Sequence, residues 1–240
     1  MKNAIIILIH KQPKQVNLFL EQLLKDTDMD IFIHINKLYD SIRSELIKND
    51  RIYVPKNNLE ITWGDDNILR AILLMAKEVL DTHMDYRYIL VNTGQDLLIK
   101  KGIDEFLSTQ TKIFIDGHLE DRRRRAYVMH KWPNYYRRLI DNKLNPYKIA
   151  RRLRIEFFTL LPILEKKTRF DTCNIKFYYN EFWCALPKEV VEYVLDFCTR
   201  NPDFMEIYYD GLVPEEAFLL TLLMTSKYKK LIEFDGKGYS

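Results

Sequence analysis
The chain predicts an α/β fold in which a mostly parallel sheet is flanked by helices, and three observations predict it. Apolar-rich runs of strand length, at 4–9, 31–35 and 86–91, are separated by stretches whose apolar residues recur at helical spacing. That alternation of strand and helix belongs to sheets buried on both faces. With 240 residues, 47% of them hydrophobic, the chain is long enough for one core of this kind, so a single domain over 1–240 is expected.

The first strand is AIIILI at 4–9, too short for the apolar core of a signal peptide and followed by no small-residue cleavage site. A helix over 14–24 carries Val16, Phe19, Leu20, Leu23 and Leu24 on one face. A second strand at 31–35 leads to a short helix at 39–47 and a β-rich piece at 51–54. The helix at 66–80 has Asp65 or Asp66 as its cap and an apolar face of Ile68, Ala71, Ile72, Met75 and Val79. A strand at 86–91, a short helix at 103–107 and a strand at 112–115 complete this half. Open sheets of this type bind ligands beyond the carboxyl ends of their strands, which puts His10, Asn36 and the loop NTGQD on one rim.

After Gly117 the texture changes. A basic, aromatic insertion or cap at about 118–168 has helical patches broken at Pro133, Pro146 and Pro162. The net charge is only +3, yet from Arg122 to Arg154 twelve Lys and Arg stand against one acid, Asp141. The α/β texture returns with a strand-like 176–186, a helix at 188–198 and a final helix at 214–224. That last helix opens on Pro-Glu-Glu, with proline at the first position and acids in the first turn. No apolar stretch approaches the ~20 residues that cross a bilayer. Cys173, Cys184 and Cys198 lack metal-type spacing and read as reduced thiols in the core, so a cytoplasmic location is expected.

The sequence has no glycine-rich phosphate loop, no HExxH and no Cys/His cluster, so side chains and strand-end loops would hold any nucleotide. Asp26-Thr27-Asp28 has the Asp-x-Asp form that can coordinate a divalent metal, but its place in a surface loop before the second strand favours a solvated turn. The run Arg122 to Arg125, with Glu120 beside it, is either a solvated charge block or a wall for a polyanionic or hydroxyl-rich substrate. The apolar stripe at 155–164 is either core or an amphipathic segment lying on an anionic membrane. Glu216 at the last helix start is either dipole compensation or chemistry.

Six blocks sharpen these readings: AIIILIHKQPKQVNLFLEQL, IFIHINK, ITWGDDNILRAILLMAKEVL, YILVNTGQDLLIK, FYYNEFWCALPKEVVEYVL and VPEEAFLLTLL. In this order they resemble the core-2/I-branching β-1,6-N-acetylglucosaminyltransferase family, which includes peptide-O-xylosyltransferases and bacterial capsule and lipooligosaccharide transferases. The resemblance spares only the cap. It implies a GT-A-like fold and a metal-independent, inverting transfer of a sugar, N-acetylglucosamine first, from a UDP-sugar to a glycan or lipid-linked saccharide.

It also implies roles. Glu216 matches the family's catalytic base, and such a displacement needs one base on the acceptor hydroxyl. The leaving diphosphate is then neutralised by cations in place of Mg²⁺. His10, Asn36, Trp63, Gly64 and Asp96 would line the donor pocket, with Lys230 of KLIEF on the diphosphate. Gln95, Glu120, Arg122, Glu181, Trp183 and Glu215 would face the substrates. The sequence departs from the family at Asn36, where an Asp is usual, and at Asn180-Glu181 in place of Gly-Ser, which makes Glu181 a second base candidate. Lys230 is a point charge without the fork of arginine. A further family lysine falls beyond Ser240, so the chain reads as shortened relative to the family.

The expected partners are thus a nucleotide sugar and a glycan or glycolipid, with peripheral contact to the inner face of the plasma membrane through the cap and no nucleic acid. Two rivals remain. A degenerate protein of the same fold would bind glycans or membrane without turnover, and a nucleic-acid binder would use the basic cap and show salt-dependent affinity for oligonucleotides.

Overall fold
Strand β1 (Lys2–Ile9) alternates strictly between two apolar layers: Ala4 and Ile6 face one, and Ile5, Ile7 and Ile9 the other. In this computed structural model, which describes residues 1–119, 122–132, 146–161, 164–170 and 175–232, β1 is near the centre of a six-stranded sheet. The others are β2 (Asp30–Ile35), β3 (Ile52–Tyr53), β4 (Tyr86–Thr93), β5 (Phe114–Leu119) and β6 (Tyr178–Pro187). The order is β3-β2-β1-β4-β6-β5. β1 pairs in parallel with β2 and β4, and β2 with β3, whereas β6 is antiparallel to both neighbours.

One face is covered by α1 (Pro13–Asp26), a 3₁₀ helix (Lys37–Glu45) and α3 (Ile103–Ser108), which contribute Phe19, Leu20, Ile42 and Leu107 to its core. Helices α2 (Asn67–Asp81), α6 (Lys188–Arg200), α7 (Pro202–Glu206) and α8 (Glu215–Met224) cover the other. Helix α8 is buried nearly all round, from Ala217 to Leu223, and packs along β6.

Several boundaries differ from expectation. The helix expected at 39–47 is the 3₁₀ helix two residues earlier, started by the Asn36 side chain accepting from Leu38 N–H. The strand expected at 112–115 runs through Gly117 to Leu119; a Cβ at Gly117 would overlap Leu220 of α8 and the Tyr179 carbonyl, so this glycine allows close approach and does not end the strand. The Asp26–Asp28 turn is partly buried: Thr27 Oγ1 donates to Leu23 O at 2.7 Å, and Asp26 pairs with Lys101 at 2.9 Å. Cys184 is buried and Cys198 half-buried, both with thiols pushed up to about 12 by burial. Glu120, Pro133, Pro162 and Cys173 lie outside the described residues.

In the cap, the arginine run opens helix α4 (Arg122–Met129), and Pro146 begins, instead of breaking, α5 (Pro146–Leu160). Four arginines in a first turn oppose the helix dipole. Carboxylates from elsewhere offset them: Arg125 binds Glu165 through two bonds of 2.8 and 2.9 Å, Arg124 meets Glu216 at 3.3 Å, and Arg123 meets Glu156 at 3.6 Å. A third apolar cluster of Ala126, Trp132, Ile155, Phe158, Leu212 and Val213 holds α4 and α5 to the approach of α8. The 155–164 stripe therefore splits: Ile155 and Phe158 are core, while Phe157, Leu160, Leu161 and Leu164 are exposed.

Candidate active site
Parallel pairing brings the carboxyl ends of β1, β2 and β4 to one rim, where Asn36 N–H donates to Ile9 O and Gly94 N–H to Leu8 O. Gly94 is tight: a Cβ there would sit 2.6 Å from Ile9 Cγ2 and 2.9 Å from Val16 Cγ2. Beyond the rim lies a cleft of about 880 Å³ whose walls include His10, Tyr39, Trp63, Gln95, Phe182 and Trp183. His10 sits edge-on to Tyr39 and has its pKa lowered by partial burial, with Lys11 adding to the effect.

Two expected donor ligands are committed to the scaffold. Asn36 is buried, donates from Nδ2 to Ile61 O at 2.6 Å, and accepts through Oδ1 from the N–H of Ile61 and of Leu38, both at 3.1 Å. It clamps the 59–61 segment to the end of β2, and an aspartate could not supply the donor. His34 reinforces the clamp by accepting from Leu59 N–H at 2.9 Å; burial lowers its pKa to about 4, so it stays neutral. Asp96 points its Oδ2 into its own loop, accepting from Thr93 N–H at 2.8 Å, Asn92 Nδ2 at 3.2 Å and Trp183 Nε1 at 2.8 Å. Through Oδ2 this carboxylate closes the turn and fixes Trp183.

Trp63 separates this cleft from a second of about 660 Å³, walled by Arg123, Arg124, Lys148, Arg151, Arg152 and Glu216. The Arg151 guanidinium lies 4.8 Å from the Trp63 ring centre. Gly64, at φ +74°, lets the chain turn after Trp63, and its carbonyl accepts from Val213 N–H at 2.9 Å. Val213 itself has φ +46°, a costly conformation for a β-branched residue before proline. Such strain concentrates where a functional side chain must be aimed, and here it sets the entry to Glu215 and Glu216.

Glu216 is half-buried, and burial raises its pKa above the ordinary carboxylate value; Arg124 opposes that rise and Glu181 adds to it. Glu181 is exposed on β6, near enough to Glu216 for its charge to contribute to that rise. Glu215 points away from both clefts, against a small buried cavity whose apolar walls include Leu69, Ile72 and Phe218. Its Oε2 has no hydrogen-bond partner among the described residues, and burial pushes its pKa up to about 8. Glu215 is not among the residues that wall either cleft.

Lys230 also misses the site. It is exposed in the 3₁₀ helix Lys227–Leu231, which bonds to Ile113 just before β5. Because β5 runs parallel to β4, this is the end of the sheet away from the rim. The cap supplies the cations instead: Arg123 and Arg124 belong to the run Arg122 to Arg125 that the sequence offered as a substrate wall, whereas Lys148, Arg151 and Arg152 were not singled out although the local charge count pointed to their segment. The Arg122 side chain lies outside the described residues, as does Glu120. No family model and no curated protein matches the chain.

Chemically, the site offers an aromatic-walled cleft at the carboxyl ends of the strands, joined past Trp63 to a cationic cleft holding one carboxylate of raised pKa. Such a carboxylate can take a proton from a hydroxyl while the surrounding cations balance negative charge on a second reactant.

Proposed function
We propose that the chain is a glycosyltransferase of GT-A type that inverts the anomeric centre. More particularly, it is a relative in kind of the core-2/I-branching enzymes that moves a sugar, N-acetylglucosamine first, from a UDP-sugar to a hydroxyl of a glycan or lipid-linked saccharide. The observation that carries this reading is the setting of Glu216: a half-buried carboxylate, raised in pKa, beside Arg124 in a cleft with four further cations, adjoining a sheet-end cleft.

In this reading the uridine lies in the sheet-end cleft, where Tyr39, Trp63 and Trp183 offer apolar faces, and the diphosphate reaches past Trp63 toward the cap arginines. The acceptor oxygen attacks the anomeric carbon as its proton passes to Glu216. The bond from that carbon to the phosphate oxygen breaks, and UDP leaves with the electron pair. Cations stabilise the charge that develops on the leaving oxygen, work that does not require a divalent metal.

The engagement of Asn36 and Asp96 in internal bonds, and the distance of Lys230 from the rim, favour a second reading: a binding protein of the same fold without turnover. A panel of UDP-sugars with glycan acceptors, run with and without EDTA, separates the two. Transfer that persists in EDTA supports the proposal. Transfer abolished by EDTA removes the metal-free mechanism, and saturable UDP-sugar binding with neither transfer nor hydrolysis supports the second reading.

A further inference from the structure
Helix α5 carries a face that the fold leaves open. Ile149, Leu153, Phe157 and Leu160 recur at spacings of four, four and three, and Leu161 continues the turn with its N–H on Phe157 O. These five side chains are between 41% and 76% exposed, whereas Ile155 and Phe158 on the opposite face are buried in the cap core. Large apolar side chains aligned over four turns form a patch of a kind that soluble surfaces rarely expose without use.

The edges of the stripe are cationic. Helical geometry puts Arg152 and Lys148 on one side, together with Glu156, the one acid in the helix, which faces Arg123; Arg154 on the other side stacks 4.7 Å from the Phe158 ring centre and donates to Lys131 O at 3.1 Å. An apolar face with basic margins complements an anionic lipid surface: the side chains enter the acyl boundary and the cations meet headgroups. The charge of the surrounding segment, twelve basic residues to one acid from Arg122 to Arg154, extends that complementarity beyond the helix.

We propose that α5 is a membrane-docking helix that lays its exposed stripe on an anionic bilayer. Lys148, Arg151 and Arg152 of the same helix line the cationic cleft, so docking would hold that cleft next to the headgroup layer. On the transferase reading, and only on it, the acceptor is then a saccharide attached to a membrane lipid. Docking itself does not depend on that reading.

Co-sedimentation of the full chain with vesicles tests the proposal. The wild type should pellet with vesicles of equal parts phosphatidylglycerol and phosphatidylcholine, and at least ten-fold less with phosphatidylcholine alone. Ile149→Glu/Leu153→Glu should lose at least ten-fold on the mixed vesicles with an unchanged circular dichroism spectrum, and Leu160→Glu, at the most exposed position, should weaken binding in the same direction. Failure of the wild type to pellet on mixed vesicles would overturn the proposal, as would equal pelleting of the double variant. A wild-type dimer that the double variant dissolves, without vesicle binding, would assign the face to a second copy of the chain instead. Transfer to a water-soluble acceptor, measured without vesicles, reports separately on the transferase reading.

Discussion
Replacing Glu215 by glutamine should stabilise the protein, by an amount that grows with pH. Among the described residues Glu215 Oε2 lies without a hydrogen-bond partner against an apolar cavity, and burial raises the pKa from the ordinary 4.5 to about 8 in the folded chain. At about 1.4 kcal/mol for each pH unit between the folded and unfolded values, ionising this group inside the fold costs roughly 5 kcal/mol at most. Because the folded pKa is the higher one, Glu215 weakens the fold progressively as pH rises from about 4.5 to about 8, where the loss is nearly complete. Glutamine keeps the shape and cannot ionise. Urea unfolding of both proteins at several values across that window measures the difference directly. The two should agree within about 1 kcal/mol near the bottom of the window, where both side chains are neutral, and diverge by several kcal/mol at the top. A difference that stays flat across the window would refute the buried, neutral assignment of Glu215.

Asn36→Asp should destabilise the chain by about 1–3 kcal/mol, because it removes the donor to Ile61 O and buries a charge; an unchanged urea midpoint would show that the clamp is dispensable. Arg124→Met removes the cation that holds the Glu216 pKa down, so the acid limb of kcat/KM should move to higher pH, and a limb left in place would contradict the pairing. Trp183→Phe deletes the bond to Asp96 Oδ2 and should raise the donor KM about 2- to 10-fold in steady-state assays; an unchanged KM would separate Trp183 from donor binding.

Residues whose partners are local were the legible ones. AIIILI declares β1 because alternate residues meet two different apolar layers, and Pro-Glu-Glu marks the start of α8 through its own backbone chemistry. The place of β6 between β4 and β5 was not legible, since alternation predicts a strand but not its neighbours. Arg122–Arg125 is an unfavourable first turn by local rules and is offset by Glu156, Glu165 and Glu216, each 33 or more positions away. The same distance effect hid the roles of Asn36, paired with Ile61, and Asp96, paired with Trp183 across 87 positions. Glu216 could be singled out from its helix position and the family pattern, and Arg123 and Arg124 from the arginine run, but Lys148, Arg151 and Arg152 could not, because they reach the cleft only once α4 and α5 pack together.

The central claim is that Glu216 takes the acceptor proton, and turnover of Glu216→Gln tests it most directly. With the donor sugar found for the wild type, kcat should fall at least about 100-fold while the donor KM changes little, since glutamine preserves the volume but cannot accept the proton. The product formed by the wild type should carry the anomeric configuration opposite to that of the donor, read by NMR. Turnover of Glu216→Gln at the wild-type rate, or a product that retains the donor configuration, would contradict the account.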